Sequence, residues 1–167
     1  MTRRPVQIVT PIPAAHLPAA ARLWWAHFGR TRRPPPPMRA DHGIAALDAE
    51  GRVAGVLGLR DGSGGLLADE AAAGWPWLYR AAPETADLVV DGVAVERPRS
   101  GAGRALVQRA SAEARRRGRP GLRAEVRLRN RGALAFWRSL GFVEVARGRY
   151  GWPWGGRVVV MRLPVGN

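Results

Sequence analysis

The chain has no cysteine. That absence excludes disulfides, thiol nucleophiles and cysteine-ligated metal centres. Lysine is missing too, and all 27 basic residues are arginine. Without lysine there is no P-loop phosphate grip and no Schiff-base chemistry. No uninterrupted apolar run approaches the roughly 18 residues of a bilayer-spanning helix, so no membrane partner is expected. The only histidines, His16, His27 and His42, are scattered without metal-ligand spacing. No metal is expected, and each histidine reads as a surface or helix residue. There is no Gly-x-Ser-x-Gly elbow, which argues against a serine hydrolase. The start "MTRRPVQIVTPIPAAHL" is basic, but prolines interrupt its apolar run. It does not read as a signal peptide, and a cytoplasmic location is the expectation.

The sequence has 167 residues, 46% of them hydrophobic, which suits a single domain over 1–167 with one core. The net charge is +14. A basic chain suits nucleic acid or an acidic partner. Yet alanine, arginine, glycine and proline are all abundant, as GC-rich coding produces. The interleaved aromatics and basic run of an RNA or DNA module are absent, so no dedicated nucleic-acid site is expected.

The pattern predicts β-α-β-β-β-α-β-α-β-β, a mixed α/β or α+β layout with a largely antiparallel start. "VQIVT" (6–10) alternates like a short strand. Leu17, Ala21, Trp24 and Phe28 mark one face of a first helix. "RTRRPPPPMR" (30–39) forbids a regular helix. Residues 43–61 form a hairpin around "AEG". A short helix is expected within 62–84. "ADLVVDGVAV" is a strong strand, followed by a helix from Ala102 to Arg117. Leu106, Ala110 and Ala114 form that helix's apolar face, with Arg109, Glu113 and Arg116 toward water. "GLRAEVRL" (121–128) is a strand with Leu122, Ala124, Val126 and Leu128 on one side. "NRGALAFWRSLGF" is a short helix capped by Gly141. "VEVARGRY" and "RVVVMRLP" close the chain. "GWPW" occurs at 74–77 and again at 151–154, too short to be a repeat.

The informative stretch is "VERPRSGAGRALVQRA" (95–110), where two glycines open a helix among arginines. Glycine lets backbone approach a ligand closely, and a helix start offers open N–H groups and positive potential. Phosphate is the expected guest. A P-loop fails because Arg104 and Ala105 follow Gly103. A Rossmann fingerprint fails at Leu106, where a small residue is required, although Glu125 stands near the distance of a ribose-binding acid.

Residues 86–142 resemble the GCN5-related N-acetyltransferases. The family pattern is a strand, Arg/Gln-x-x-Gly-x-Gly/Ala, a helix, a strand and then Asn-x-x-Ala-x-x-Phe-Tyr-x-x-x-Gly-Phe. Asn130, Ala133, Phe136, Gly141 and Phe142 fall in register. The N-terminal half agrees in element order. The resemblance implies a mostly antiparallel mixed sheet whose two central parallel strands splay around acetyl-CoA. It implies that pantetheine lies along Val93, Ala94 and Val95. The pyrophosphate then rests on Arg99, Ser100, Gly101, Ala102, Gly103 and Arg104. Asn130, Phe136 and Trp137 line the far side. The implied activity is acetyl transfer from acetyl-CoA, as co-substrate, to a primary amine of a small molecule or peptide. The competing reading is a catalytically silent coenzyme A-binding regulatory module. A monomer or homodimer is expected.

Two departures stand out. Pro98 occupies the place of the family's Arg or Gln. If Val95 anchors the strand, the loop is two residues shorter than usual; if Val93 does, the length is normal but the arginine is displaced. Second, Trp137 replaces a tyrosine that the family is proposed to use to protonate the leaving thiolate. The resemblance places position 137 facing the sulfur, but an indole N–H gives up no proton near neutral pH. Tyr150 or water is left for that task, with packing as the alternative for Tyr150. Asp91 is the candidate base for the amine, since without a bulge it shares a face with Val93 and Val95. Glu96, Glu125 and Glu144 are weaker. Trp24, Trp25, Tyr150, Trp152 and Trp154 are candidate acceptor walls, and the arginine excess favours an acidic acceptor over a polycation.

Overall fold

A computed structural model describes residues 6–29, 34–67 and 78–166. The first "GWPW" and the centre of the 62–84 segment, for which the sequence predicts a short helix, lie outside these residues. So do residues 30–33 of the proline-rich segment, whose 34–37 form no helix or strand.

The elements follow the predicted order. They are β1 (Gln7–Val9), α1 (Leu17–Phe28), β2 (Gly43–Leu47), β3 (Val53–Arg60), β4 (Leu88–Val95), α2 (Ala102–Arg116), β5 (Gly121–Arg127), α3 (Arg131–Ser139), β6 (Val143–Gly148) and β7 (Val158–Pro164). They form one seven-stranded sheet in the order β1-β2-β3-β4-β5-β7-β6. Every neighbouring pair is antiparallel except β4 with β5. That one parallel pair follows from the α2 crossover, since a parallel return needs a long connection.

The core lies on both faces of the sheet. On one, Leu106, Val107, Ala110 and Ala114 of α2 pack on Leu57, Leu88, Val90, Leu122, Ala124 and Met161. Leu128 joins this face, as its alternation with Leu122, Ala124 and Val126 predicts. On the other, Ala20 and Trp24 of α1 pack on Ala45, Val56 and Ala94. The rings of α1 cross the sheet where it carries no side chain: a Cβ at Gly92 would lie 2.7 Å from the Phe28 ring. The buried stripe of α1 runs through Ala20 and Trp24, and Phe28 is exposed at its edge. Trp24 is therefore core, not an acceptor wall.

Two polar residues expected at the surface are buried. Glu113 is 3% exposed and His42 2%. Glu113 accepts hydrogen bonds from Arg116 and Arg117. Arg117 reaches on to Asp61 at 3.0 Å and to the Asp41 carbonyl at 2.8 Å. His42 stands 3.3 Å from the same Asp61. This network ties the end of α2 to both ends of the β2–β3 hairpin, which periodicity within α2 alone does not register. Hydrogen bonding from Arg116, against the penalty of burial, holds Glu113 down to about 2 from an ordinary 4.5. Burial pushes Asp61 up, but hydrogen bonds from Ser63 and His42 outweigh it and hold it below its usual range. A depressed carboxylate contributes stability above its unfolded value and loses it as pH falls through its folded one. The melting temperature is therefore expected to fall steeply between pH 4.5 and about 2. Glu113→Gln is expected to melt lower at neutral pH and to show a shallower acid slope, as measured by calorimetry across that range. An unchanged slope would mean that Glu113 does not contribute to it.

Candidate active site

β4 and β5 pair only over Leu88–Val90 and Leu122–Ala124. Beyond that, β4 stays with β3 as far as Val95, and β5 stays with β7 as far as Arg127. The two parallel strands thus part and leave a wedge. Glu96 N–H donates to the Ala54 carbonyl on the β3 side at 3.0 Å. Gly92 and Ala94 share that parity, opposite Gly58 and Val56. By the alternation of an antiparallel ladder, the backbone groups of Val93 and Val95 then turn into the wedge. Ala94, predicted with them, turns its own to β3.

The strand ends at Val95, so residues 96–101 connect it to α2, the shorter of the two possible loops. Pro98 lies in this exposed connection. Arg99 (φ 61°) and Gly101 (φ 92°) adopt left-handed conformations that turn the chain sharply into the helix. Glycine meets that requirement at 101 without the steric cost of a side chain. The first helical bond runs from Ala105 N–H to the Gly101 carbonyl, so the N–H groups of Gly103 and Arg104 precede the ladder. A Cβ at Gly103 would stand 3.4 Å from the Phe136 ring and 3.9 Å from Val93. Gly103, Val93 and Phe136 therefore share one notch at the wedge.

Across the wedge, Asn130 caps α3 by accepting the Ala133 N–H at 3.0 Å. Trp137 is only 5% exposed. Its ring packs edge-on against Phe136 and Phe142, at 5.2 and 4.8 Å between centroids. The indole is a core element, which departs from the expectation of a group facing the thiol.

On the opposite face lies a cleft of about 270 Å³. Arg60, Tyr79, Asp91, Glu125, Arg127, Tyr150 and Trp152 line it. Asp91 reaches it through a bulge: Leu59 pairs with Val90 and Gly58 with Gly92, leaving Asp91 as the extra residue. The bulge separates Asp91 from the face of Val93 and Val95, where unbroken parity would place it. Its side chain is 8% exposed, with Arg60 at 2.6 Å. Glu125 is 31% exposed and accepts from Arg123 at 2.9 Å. Tyr150 meets the cleft from the β6–β7 connection. Arg80 and Gly151 exchange backbone hydrogen bonds, and Tyr79 packs edge-on against Trp152, which stacks on Trp154. The second "GWPW" therefore meets the chain just after the first. Among the predicted residues, Asp91, Glu125, Tyr150 and Trp152 come together here; Glu144 instead pairs with Arg147 on β6.

Sequence reasoning missed Arg60, Tyr79 and Arg127. Arg60 had one available signal: its strand pairs antiparallel with β4, which brings its positive charge alongside Asp91. Tyr79 had none, because its contact with Trp152 joins two irregular segments. Among the described residues, no group of acids and histidines could hold a metal ion, and no helix is long and apolar enough to cross a membrane.

The fold is that of solved acetyltransferases. It matches the ribosomal-protein-S18-alanine N-acetyltransferase of Escherichia coli at a TM-score of 0.62 and 19% identity, covering 98% of this chain and 96% of that one. It matches Ard1 of Thermoplasma volcanium at 0.64 and 16%, covering 99% and 100%. It matches NAA60 of Arabidopsis thaliana, solved with acetyl-CoA, at 0.60 and 14%, covering 98% and 100%. No curated protein matches the sequence. The model of the acetyltransferase (GNAT) family matches residues 13–142, most of the chain, and the protein belongs to that family.

Proposed function

We propose that the protein is an acetyl-CoA-dependent N-acetyltransferase acting on a primary amine. The observation that carries this reading is the parting of β4 and β5 beside a glycine-opened helix, with an acid- and aromatic-lined cleft on the other face. The wedge fits the cofactor. The backbone of Val93 and Val95 offers an unpaired strand edge to the amides of pantetheine. The N–H groups at the start of α2, with Arg99 and Arg104 alongside, suit a pyrophosphate. The Gly103 notch leaves the space that a side chain would fill. Phe136 flanks it, Asn130 holds α3 in place and Trp137 backs the wall.

Acetyl-CoA supplies an acyl thioester, whose carbon accepts the amine nitrogen while the carbon–sulfur bond breaks. The open N–H groups of β4 face the carbonyl oxygen as negative charge builds on it. A bound ammonium must first lose a proton. Glu125 takes it in this reading, because it reaches the cleft with 31% of its side chain exposed, whereas Asp91 is almost enclosed beside Arg60. Asp91 then positions Arg60 and the bulge rather than acting as the base. Tyr150 supplies the proton to the departing thiolate, a good leaving group with a pKa of about 8.5 for a cysteine-like thiol, and regains one from the nitrogen, which sheds its second proton as the amide forms.

General acid or base help is worth about 10²- to 10⁴-fold where it is used. Tyr150→Phe and Glu125→Gln are each expected to lower turnover by at least about 10²-fold with coenzyme A binding retained. Thiol release and cofactor titration measure the two quantities separately. Full turnover in either variant would return that role to water.

A further inference from the structure

The protein has a net charge of +14, yet the four charged groups lining the acceptor cleft are two acids and two arginines. Their partners differ. Arg60 stands on Asp91 at 2.6 Å, so each of these two has its counter-charge. Glu125 is held in place from its own strand by Arg123, which is enclosed and also donates to the Pro83 carbonyl. For the Arg127 guanidinium, no acid or side-chain hydrogen-bond partner is found among the described residues.

Glu125 and Arg127 stand two apart on one strand and line the same cleft. Residues i and i+2 of a strand point to the same face, about 6.6 Å apart along it. A carboxylate and an open guanidinium at that spacing present a negative and a positive contact to one small molecule. An α-amino acid has the complementary pair, an ammonium and a carboxylate on one carbon. Guanidinium binds carboxylate through two parallel hydrogen bonds, a geometry that an amine without a carboxylate leaves unused. The remaining wall is aromatic: Tyr79 packs edge-on on Trp152 at 5.4 Å. Such rings suit an apolar or aromatic side chain. The cleft's volume of about 270 Å³ suits a compact molecule.

We propose that the acceptor is a free amino acid with a large apolar or aromatic side chain, an assignment that rests on the proposed acetyl transfer. Its ammonium sits on Glu125, its carboxylate on Arg127 and its side chain against Tyr79 and Trp152. A polyamine meets Arg127 with like charge. A protein N-terminus brings its first carbonyl where the free carboxylate belongs.

The test uses the full chain with acetyl-CoA and three probes: L-phenylalanine, phenethylamine and a phenylalanine-led peptide amide. Thiol release is read for each. L-phenylalanine is expected to exceed each of the others by more than about tenfold in kcat/KM, as expected of a site built to hydrogen-bond a group its competitor lacks. Arg127→Gln is expected to collapse that preference to within about threefold, through KM rather than kcat, because the lost contact is to a group that does not react. Preference for phenethylamine or the peptide, or an undiminished preference in Arg127→Gln, overturns the proposal. So does the absence of transfer to any probe while coenzyme A still stabilises the protein; in that case the cofactor site stands and the acceptor assignment falls. Failure of coenzyme A itself to bind would remove the acetyltransferase reading beneath it.

Discussion

Coenzyme A at about 100 times its dissociation constant is expected to stabilise the protein by roughly 2.7 kcal/mol, and Gly103→Val is expected to lose nearly all of that gain. The figure is mass action on a ligand that binds only the folded state. The loss comes from the notch. A Cβ at 103 lies in ordinary contact with Phe136 and Val93, so alanine fits. Valine adds two methyl groups that must push on the Phe136 ring or occupy the wedge where β4 leaves its edge open. Because the change is at the start of α2 and outside the packed core, the unliganded fold is expected to melt close to the parent. Thermal shift with parent, Gly103→Ala and Gly103→Val reads the difference. Equal shifts in parent and valine variant would move the cofactor site away from this helix.

Trp137→Ala is expected to cost about 3–5 kcal/mol of stability, the scale for deleting a large buried aromatic side chain. The indole is 5% exposed and packs edge-on against two phenylalanines. Its removal leaves a cavity between α3 and the sheet. Trp137→Phe keeps a ring and is expected to change turnover less than about tenfold, because an indole cannot supply the proton that general acid help requires. Denaturant unfolding and steady-state thiol release separate the two effects. A Trp137→Phe enzyme that binds coenzyme A normally but loses turnover a thousandfold would mean that the indole N–H itself holds a reacting group, which a packing role does not allow.

Element order was legible because hydrophobic period and turn residues are local properties. "LVVDGVAV" reads as a strand and "GAGRALVQRASAEARRR" as a helix without any tertiary knowledge. The strand, loop and helix start that form the wedge were legible for the same reason, since they are contiguous. Three things were not. The bulge at Asp91 depends on register between β3 and β4, and one inserted residue moves the carboxylate to the other face. The burial of Glu113 depends on Arg117 reaching Asp61 and the Asp41 carbonyl, far away in sequence. The cleft on the other face gathers side chains from β3, β4, β5 and two irregular segments, so only the folded chain assembles it.

The most direct test of acetyl transfer follows both products of one reaction. Acetyl-CoA, the protein and a mixed panel of primary amines are incubated, free thiol is measured, and acetylated amine is counted by mass spectrometry. One acetylated amine is expected for each thiol released, with both lost in the Gly103→Val variant. Coenzyme A that binds and stabilises the protein, with no acetylated amine formed from any acceptor, would contradict acetyl transfer and leave a cofactor-binding module without catalysis.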